Sequence, residues 1–273
     1  MALNSRCVDA NWGDEMDLGL NGHKVIVTAG ASGIGLAIAR AFVREGATVT
    51  ICDVSQAALD DLAVSDPQIR SGLCDVTDRP AVAGFMKMSI SAMGGLDTLV
   101  NNAGIAGPTG PVQDIAAEDW DRCLDVCLTG QFNVTRLAVP ALQQSTNASI
   151  INLSSMAGRV GFGLRSPYAA AKWGVIGFTK SLSIELGPDR IRANAILPGL
   201  VAGDRQRRVL EAKAQRLGKS FEDIERMAFS YTSIKEYVSA DQIADQVVFL
   251  ASDRGRTISG QAISICGDTQ MLA

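Results

Sequence analysis

The sequence predicts an α/β fold, a single doubly wound parallel sheet of about seven strands with helices on both faces. Three observations lead there. Short β-branched runs alternate with longer amphipathic stretches from Lys24 to near the C-terminus. The first run passes directly into a glycine-rich turn followed by a helical pattern. No linker or change of composition divides the chain. Continuous apolar strands separated by helices point to a parallel sheet buried on both faces.

In chain order, residues 25–28, 47–51, 69–73, 96–100, 149–153, 191–196 and 262–265 read as strands, because they are short, apolar and rich in valine, isoleucine and threonine. Helical patterns lie between them over about 33–45, 55–64, 78–93, 118–143, 167–187 and 240–251. The stretch 203–238, inserted after Pro198-Gly199, is different. It is weakly patterned and rich in arginine, lysine and acid, and reads as a helical lid over a site. Residues 1–22 read as an N-terminal extension, polar and acidic around Trp12, that is either flexible or packed across a neighbouring surface. Residues 23–273 form the one domain.

Composition narrows the function. The chain has 273 residues, 47% hydrophobic and 20% charged, with a net charge of −4, within reach of one large globular α/β domain. Mild acidity argues against a nucleic-acid surface, which needs a clustered basic face. The six cysteines are scattered without a C-x-x-C pair, and His23 is the sole histidine. No metal site is expected, and reduced thiols in a cytoplasmic protein are the reading. The first twenty residues lack the basic start and apolar core of a secretory signal, and no apolar run approaches the length of a membrane span.

The chemistry-bearing motifs cluster at strand ends. The first strand runs into Thr28-Ala29-Gly30-Ala31-Ser32-Gly33-Ile34-Gly35. Glycines there allow a tight turn, and the helix N-terminus presents N–H groups to a pyrophosphate. Gly30, Ser32, Gly33, Ile34 and Gly35 are therefore cofactor candidates. The second strand ends in Asp53, whose carboxylate can accept hydrogen bonds from the ribose hydroxyls of NAD and would repel a 2′-phosphate. No arginine or lysine lies in that turn, so NAD is expected over NADP. Asp75 and Val76 follow the third strand, with Asp75 placed to face the adenine. Asn102, Ala103 and Gly104 follow the fourth and can line the cofactor channel. Further along, Tyr168 and Lys172 stand four apart around three alanines, with Ser155 thirteen residues before the tyrosine. On a helix that spacing stacks the phenol and the ammonium on one face. A nearby ammonium favours a phenolate, which suits proton transfer at an alcohol or carbonyl carbon.

Together these elements resemble the short-chain dehydrogenase/reductase family: the TGxxxGIG-type turn, the Asn-Asn-Ala-Gly loop, the Ser…Tyr-x-x-x-Lys set, and Pro198-Gly199 after Arg192-Ala193-Asn194. The match runs from about Lys24 to Gly267. The resemblance implies a Rossmann-type sheet, NAD(P)-dependent hydride transfer, and a homotetramer or homodimer built on the helix carrying Tyr168 with the long helix before it, and on the last strand with the C-terminal tail. It implies that Tyr168 is the general acid/base and that Lys172 supports the phenolate and binds the nicotinamide ribose. Ser155 would polarise the substrate oxygen, with Ser154 as the neighbouring candidate. Pro198, Gly199 and Val201 would lie at the nicotinamide end.

Three positions depart from the family pattern. Ala29 stands where a glycine is common, and Gly203 where a threonine often holds the carboxamide. Cys127 stands where an asparagine completes a proton relay to the lysine through its backbone carbonyl. Activity with a modified relay is expected, and Cys127 reads as a small buried hydrophobe.

The substrate is the least legible part. Arg159, Arg165 and the start of the lid, Asp204-Arg205-Gln206-Arg207-Arg208 with Arg205 singled out, offer one or two candidates to hold a carboxylate, sulfonate or phosphate. The competing reading is a solvated helix face whose acid partners are Glu211, Glu222, Asp223 and Glu225. With few large apolar groups in 158–167, a sugar, polyol or sugar acid is expected. The alternatives are a 3-oxoacyl or other hydrophobic-carbonyl reductase of the same family and, in another class, a catalytically weakened nucleotide-binding regulatory protein. A metal-dependent alcohol dehydrogenase is disfavoured by the single histidine.

Overall fold

Val25, Ile26 and Val27 are wholly excluded from solvent and form the centre of β1 (Lys24–Thr28), around which the sheet is built. In the computed structural model, residues 17–272 are described. Residues 1–16, most of the expected extension, lie outside them. The chain joins the fold before residue 23, because Leu20 is buried in the core and the Gly22 N–H bonds Gly46 O.

After β1 come α1 (Gly33–Arg44), β2 (Thr48–Asp53), α2 (Gln56–Ser65), β3 (Arg70–Leu73), α3 (Arg79–Met93) and β4 (Thr98–Asn101). Then follow α4 (Ala117–Leu124), a π-helical turn (Asp125–Thr129), α5 (Gly130–Leu142), β5 (Ser149–Leu153), α6 (Ser166–Leu186) and β6 (Arg192–Pro198). The chain ends with α7 (Asp204–Leu217), α8 (Phe221–Ser230), α9 (Ala240–Ala251) and β7 (Ala262–Ile265). The seven strands are all parallel, in the order β3-β2-β1-β4-β5-β6-β7. This is the doubly wound sheet expected from the sequence.

Side chains alternate across β1. Val25 and Val27 join the layer of Ile38, Phe42, Leu59, Ile243 and Val247 from α1, α2 and α9. Ile26 joins Val82, Met86, Val134, Leu142 and Leu182 from α3, α5 and α6 on the other face.

Three expected boundaries moved, each for a physical reason. The strand expected from 96 starts at Thr98, because the Asp97 carboxylate accepts the Lys24 N–H at 2.9 Å and the Ser145 hydroxyl at 2.6 Å. The second strand runs on to Asp53 by pairing with β3. The single helix expected over 118–143 is broken by the π turn, in which the Gly130 N–H reaches Asp125 O, five residues back. Stretch 203–238 holds α7 and α8, which share a small core of Leu210, Ala214 and Ile224. Its ends are clipped together where the Val238 N–H bonds Leu200 O and the Ala202 N–H bonds Val238 O.

Buried polar groups crosslink the frame. Asn101 Nδ2 donates to Thr135 Oγ1 and to Asn152 Oδ1, and Asn152 Nδ2 donates to Thr179 Oγ1, each at 2.9 Å. Arg192 on β6 caps the C-terminal end of α9 through Leu250 O and Ala251 O, where the helix dipole favours a cation. Burial opposes its charge and pulls its pKa down to about 10. His23 is buried with Nε2 2.8 Å from Thr98 Oγ1. Burial lowers its pKa below the ordinary 6.5, against the opposing pull of Asp97. The unfolded chain then binds the extra proton more readily, so stability should fall as pH drops from about 6.5 towards the folded pKa and be insensitive to this group above it. NMR titration of the one imidazole should give a midpoint below 6.5 in the folded protein; a midpoint at or above it would remove His23 as a source of acid sensitivity.

Candidate active site

The strand order reverses between β1 and β4, so the loops after these two strands open a crevice at the carboxyl edge of the sheet, where ligands of such sheets bind. The glycine-rich turn after β1 lines it. Gly33 has φ +53, and a Cβ on Gly35 would lie 2.2 Å from Ala29 O and 2.5 Å from Asn102 Nδ2. The turn is braced from the neighbouring loop. Asn102 Nδ2 donates to Thr28 O (3.0 Å) and Ala29 O (2.9 Å), while Thr28 Oγ1 accepts the N–H groups of Asn102 and Ala103, both at 3.0 Å. The Asn102 amide thus holds the turn rather than pointing freely into the channel.

At the N-terminus of α1, Ser32 makes no side-chain cap and no acid occupies the first turn. The uncapped N–H groups and positive dipole end suit a pyrophosphate. Asp53 ends β2 beside this turn. Its carboxylate accepts the Ala31 N–H at 3.2 Å and the Ser55 N–H at 3.1 Å, which fixes it at the mouth of the crevice. These residues fit a dinucleotide. Asp75 accepts the N–H and hydroxyl of Thr77 and pairs with Arg122 at 3.4 Å. Burial works against its charge, but the Thr77 bonds and Arg122 prevail and hold its carboxyl below the ordinary range. Val76 is buried against Gly130, where an added Cβ would come within 2.5 Å of it.

On α6, Tyr168 is half-buried one turn from Lys172, whose ammonium lies 5.7 Å from the phenol ring centre. Lys172 is almost wholly buried, and its Nζ donates to Leu153 O at 2.7 Å. The Ser154 hydroxyl donates to Lys172 O at 2.7 Å and is buried. Ser155 is partly exposed, its Oγ accepting only the Ala157 N–H. The structure therefore divides the two serines: Ser154 ties α6 to β5, and Ser155 keeps a hydroxyl for a ligand. Gly104 closes this side, since a Cβ there would stand 3.4 Å from Lys172 Nζ and 3.6 Å from Cys127 Sγ. Pro198 ends β6, Gly199 packs on Cys266 so closely that a Cβ would come within 2.7 Å, and Val201 bridges to Val238 at the base of the lid.

Cys127 sits in the π turn, fully buried. Its Sγ accepts the Ile105 N–H and donates to Ile105 O, both at 3.4 Å. The neighbouring Cys123 thiol lowers the Cys127 pKa, with Lys172 and the Ile105 N–H adding to this against burial, while Cys123 itself is pushed up. Cys127 is therefore a bonded polar group as well as a small buried one. Gly203 has φ +134 with open space around it, a conformation that a β-branched threonine could not adopt without strain.

The arginines separate. Arg165 and Arg205 converge on Tyr168, with guanidinium carbons 5.3 and 6.0 Å from its ring centre. Arg159 does not join them: it bonds Ser264 Oγ at 2.8 Å and Ala262 O at 2.5 Å, pinning the turn after β5 to β7. A cavity of about 290 Å³ lies between α7 and the loop after β4, lined by Gly104, Ala106, Arg165, Arg205, Arg208 and Ala212. Of the arginines that open the lid, Arg205 and Arg208 line this cavity, because 205, 208, 209 and 212 follow the i, i+3, i+4, i+7 period of one helix face.

Comparison with known proteins agrees with this architecture. A family model described as Enoyl-(Acyl carrier protein) reductase matches residues 28–267. The chain is 35% identical over 246 residues to D-beta-hydroxybutyrate dehydrogenase of Cupriavidus necator, an alignment covering 88% of this chain and 95% of that one. The crystal structure of NAD+-bound xylitol dehydrogenase superimposes with a TM-score of 0.87 at 29% identity, covering 91% of this chain and 99% of that one. Actinorhodin polyketide ketoreductase with NADPH gives 0.84 at 31% identity, covering 90% and 96%.

Ala29 has φ +51, in the left-handed region. A non-glycine residue is strained there by about 1 kcal/mol, so Ala29→Gly should raise Tm by roughly 2–4 °C in a thermal melt. An unchanged or lower Tm would show the turn to be relaxed with alanine.

Proposed function

Because the chain belongs to the short-chain dehydrogenase/reductase family, we propose that it is an NAD-dependent oxidoreductase that moves hydride between nicotinamide and a secondary alcohol or carbonyl of a small polar substrate. The observation that carries this reading is the arrangement at β5 and α6. A half-buried Tyr168 stands one helical turn from a buried, carbonyl-anchored Lys172, beside a Ser155 hydroxyl still available to a ligand. The crevice edge next to it is built for a dinucleotide.

Bound nicotinamide supplies hydride exchange. The remaining work falls to the chain. Ser155 donates to the substrate oxygen and orients it. Tyr168 accepts the hydroxyl proton in the oxidising direction and returns it in the reducing one. Lys172, one helical turn from the phenol, binds the nicotinamide ribose, and the Cys127 carbonyl takes the relay position. Gly30, Ser32, Gly33, Ile34 and Gly35 receive the pyrophosphate. Asp53 receives the adenosine ribose, with Asp75 and Val76 by the adenine. Asn102, Ala103 and Gly104, with Pro198, Gly199 and Val201, border the nicotinamide half.

The preference for NAD rests on Asp53, whose carboxylate repels a 2′-phosphate. A polar substrate is supported by the cationic cavity above Tyr168 and by likeness to enzymes named for hydroxybutyrate and xylitol. The second reading, a 3-oxoacyl or similar hydrophobic-carbonyl reductase, is favoured by the likeness to the ketoreductase and by the description of the family model. The enzyme would work in the cytoplasm as a homotetramer or homodimer. Phe132 on α5 and Trp173 and Ile184 on α6 are exposed, as a helix-face interface between copies requires. Among the described residues no helix is long and apolar enough to cross a membrane.

Tyr168→Phe should retain NADH binding in a fluorescence titration while turnover falls by about 10²-fold or more; surviving turnover would dismiss Tyr168 as the proton carrier. Asp53→Ala should bring kcat/KM for NADP up relative to NAD, and an unmoved ratio would take cofactor choice away from Asp53.

A further inference from the structure

Arg165 is an expensive residue where it stands. It is only 3% exposed, it directly precedes the N-terminus of α6, where the dipole repels a cation, and no carboxylate meets it among the described residues. One bond, from Nη2 to Ala106 O, and the ring faces of Phe162 and Tyr168 are its company. Among the described residues, Nε and Nη1 have no hydrogen-bond partner. An unpaired buried charge costs several kcal/mol, and burial accordingly pulls the Arg165 pKa down.

Three more cations gather around it. Lys213 is buried with its Nζ 5.3 Å from the centre of the Phe162 ring that Arg165 also covers. Arg205 bonds only Gly104 O, and Arg208 lines the same cavity. The acids that would make this a self-neutralised helix face do not reach these four cations. Glu211 holds Arg207, Asp223 holds Arg226, Asp114 holds Arg216, and Glu225 takes the Tyr237 hydroxyl. Among the described residues, none of the four cations has a carboxylate within ion-pair distance.

We infer that the substrate is a short hydroxy acid or its oxo acid, whose carboxylate is held by Arg165, Arg205 and Arg208 while its carbinol carbon lies over Tyr168. This rests on the oxidoreductase reading and sharpens it: neutral polyols and sugars are excluded as best substrates. Both guanidinium carbons near Tyr168 lie within 6.0 Å of its ring centre, and a guanidinium–carboxylate bond spans only 2.7–2.9 Å. The acid group is therefore a few bonds from the reacting carbon. A cavity of about 290 Å³ suits a compact molecule.

The test compares kcat/KM of the full-length enzyme with NAD for both enantiomers of 3-hydroxybutyrate, their methyl esters, and xylitol. Alongside it, calorimetric binding of malonate to the NADH-loaded protein gives a readout without turnover. Arg205→Met and Arg208→Met lie on the exposed face of α7 and should fold, as a melt would verify; Arg205→Lys is the conservative partner. The expected result is a preference for acid over ester of at least tenfold, which falls by about 10–100-fold in Arg205→Met and is partly restored in Arg205→Lys. Malonate binding should weaken in parallel. Equal use of acid and ester, or xylitol as the best substrate, would overturn the carboxylate site and leave the oxidoreductase reading standing. If nothing in the panel is oxidised, malonate binding that depends on Arg205 would support the anion site while the reaction reading fails, and absence of binding would overturn the site as well. Weakened NADH affinity in Arg205→Met, with the acid-to-ester ratio unchanged, would assign the cluster to the cofactor and overturn the inference.

Discussion

Two reciprocal hydrogen bonds between α6 and the end of β5 hold the site together. The Lys172 ammonium donates to Leu153 O, and the Ser154 hydroxyl donates to Lys172 O. A buried ammonium must find acceptors, and here the acceptor is a carbonyl at the sheet's edge, so the helix cannot slide without leaving a charge unpaired. Tyr168 inherits its position from that constraint, one turn away on a helix that also packs Val175 and Leu182 into the interior. The buried Asn101–Asn152–Thr179 chain continues the same seam beneath the site and ties β4, β5 and α6 at their mutual contact.

The floor opposite Lys172 is made by a local break in helix geometry. The π turn at Asp125–Thr129 brings Cys127 to the Ile105 backbone, where one thiol satisfies a donor and an acceptor together. A short, soft side chain can do this where space is limited, and Gly104 leaves just that space between the lysine and the thiol. Cys127, at the position where the resemblance sets an asparagine, is thus a hydrogen-bonded part of this floor and not a bare apolar filler.

The lid adds a different kind of order. α7 and α8 stabilise each other through a small apolar core and are clipped at the base by Leu200, Ala202 and Val238. Arg216 ties α7 to Asp114 beyond β4 at 2.5 Å. Among the described residues no acid pairs with Arg205, Arg208 or Lys213, so the inner face of the lid presents uncompensated positive charge to the phenol below. The frame below is apolar, and on the proposed reading specificity falls to the long cationic side chains above it.

The sequence by itself determined the parallel sheet, the glycine-rich turn at its first strand, the carboxylate ending β2, and the Tyr168–Lys172 pairing. Each depends on spacing along one element, 2.0 residues per strand repeat or 3.6 per helical turn, and spacing is written in the chain. It also placed Arg165 and Arg205 among the candidates. The interval to Tyr168 favoured Ser155 over Ser154, but only the tertiary structure shows why: the Ser154 hydroxyl is taken by Lys172 O, and adjacent residues differ in what faces them. The same holds for Arg159, drawn to β7 by acceptors more than a hundred residues away, and for the break at Cys127, which no helical period announces. In the lid, Arg207–Glu211 and Arg226–Asp223 pair at helical spacing that the chain itself carries, whereas Arg216–Asp114 and the convergence of Arg165 and Arg205 on Tyr168 join residues far apart in sequence, and that geometry exists only once the chain has closed on itself.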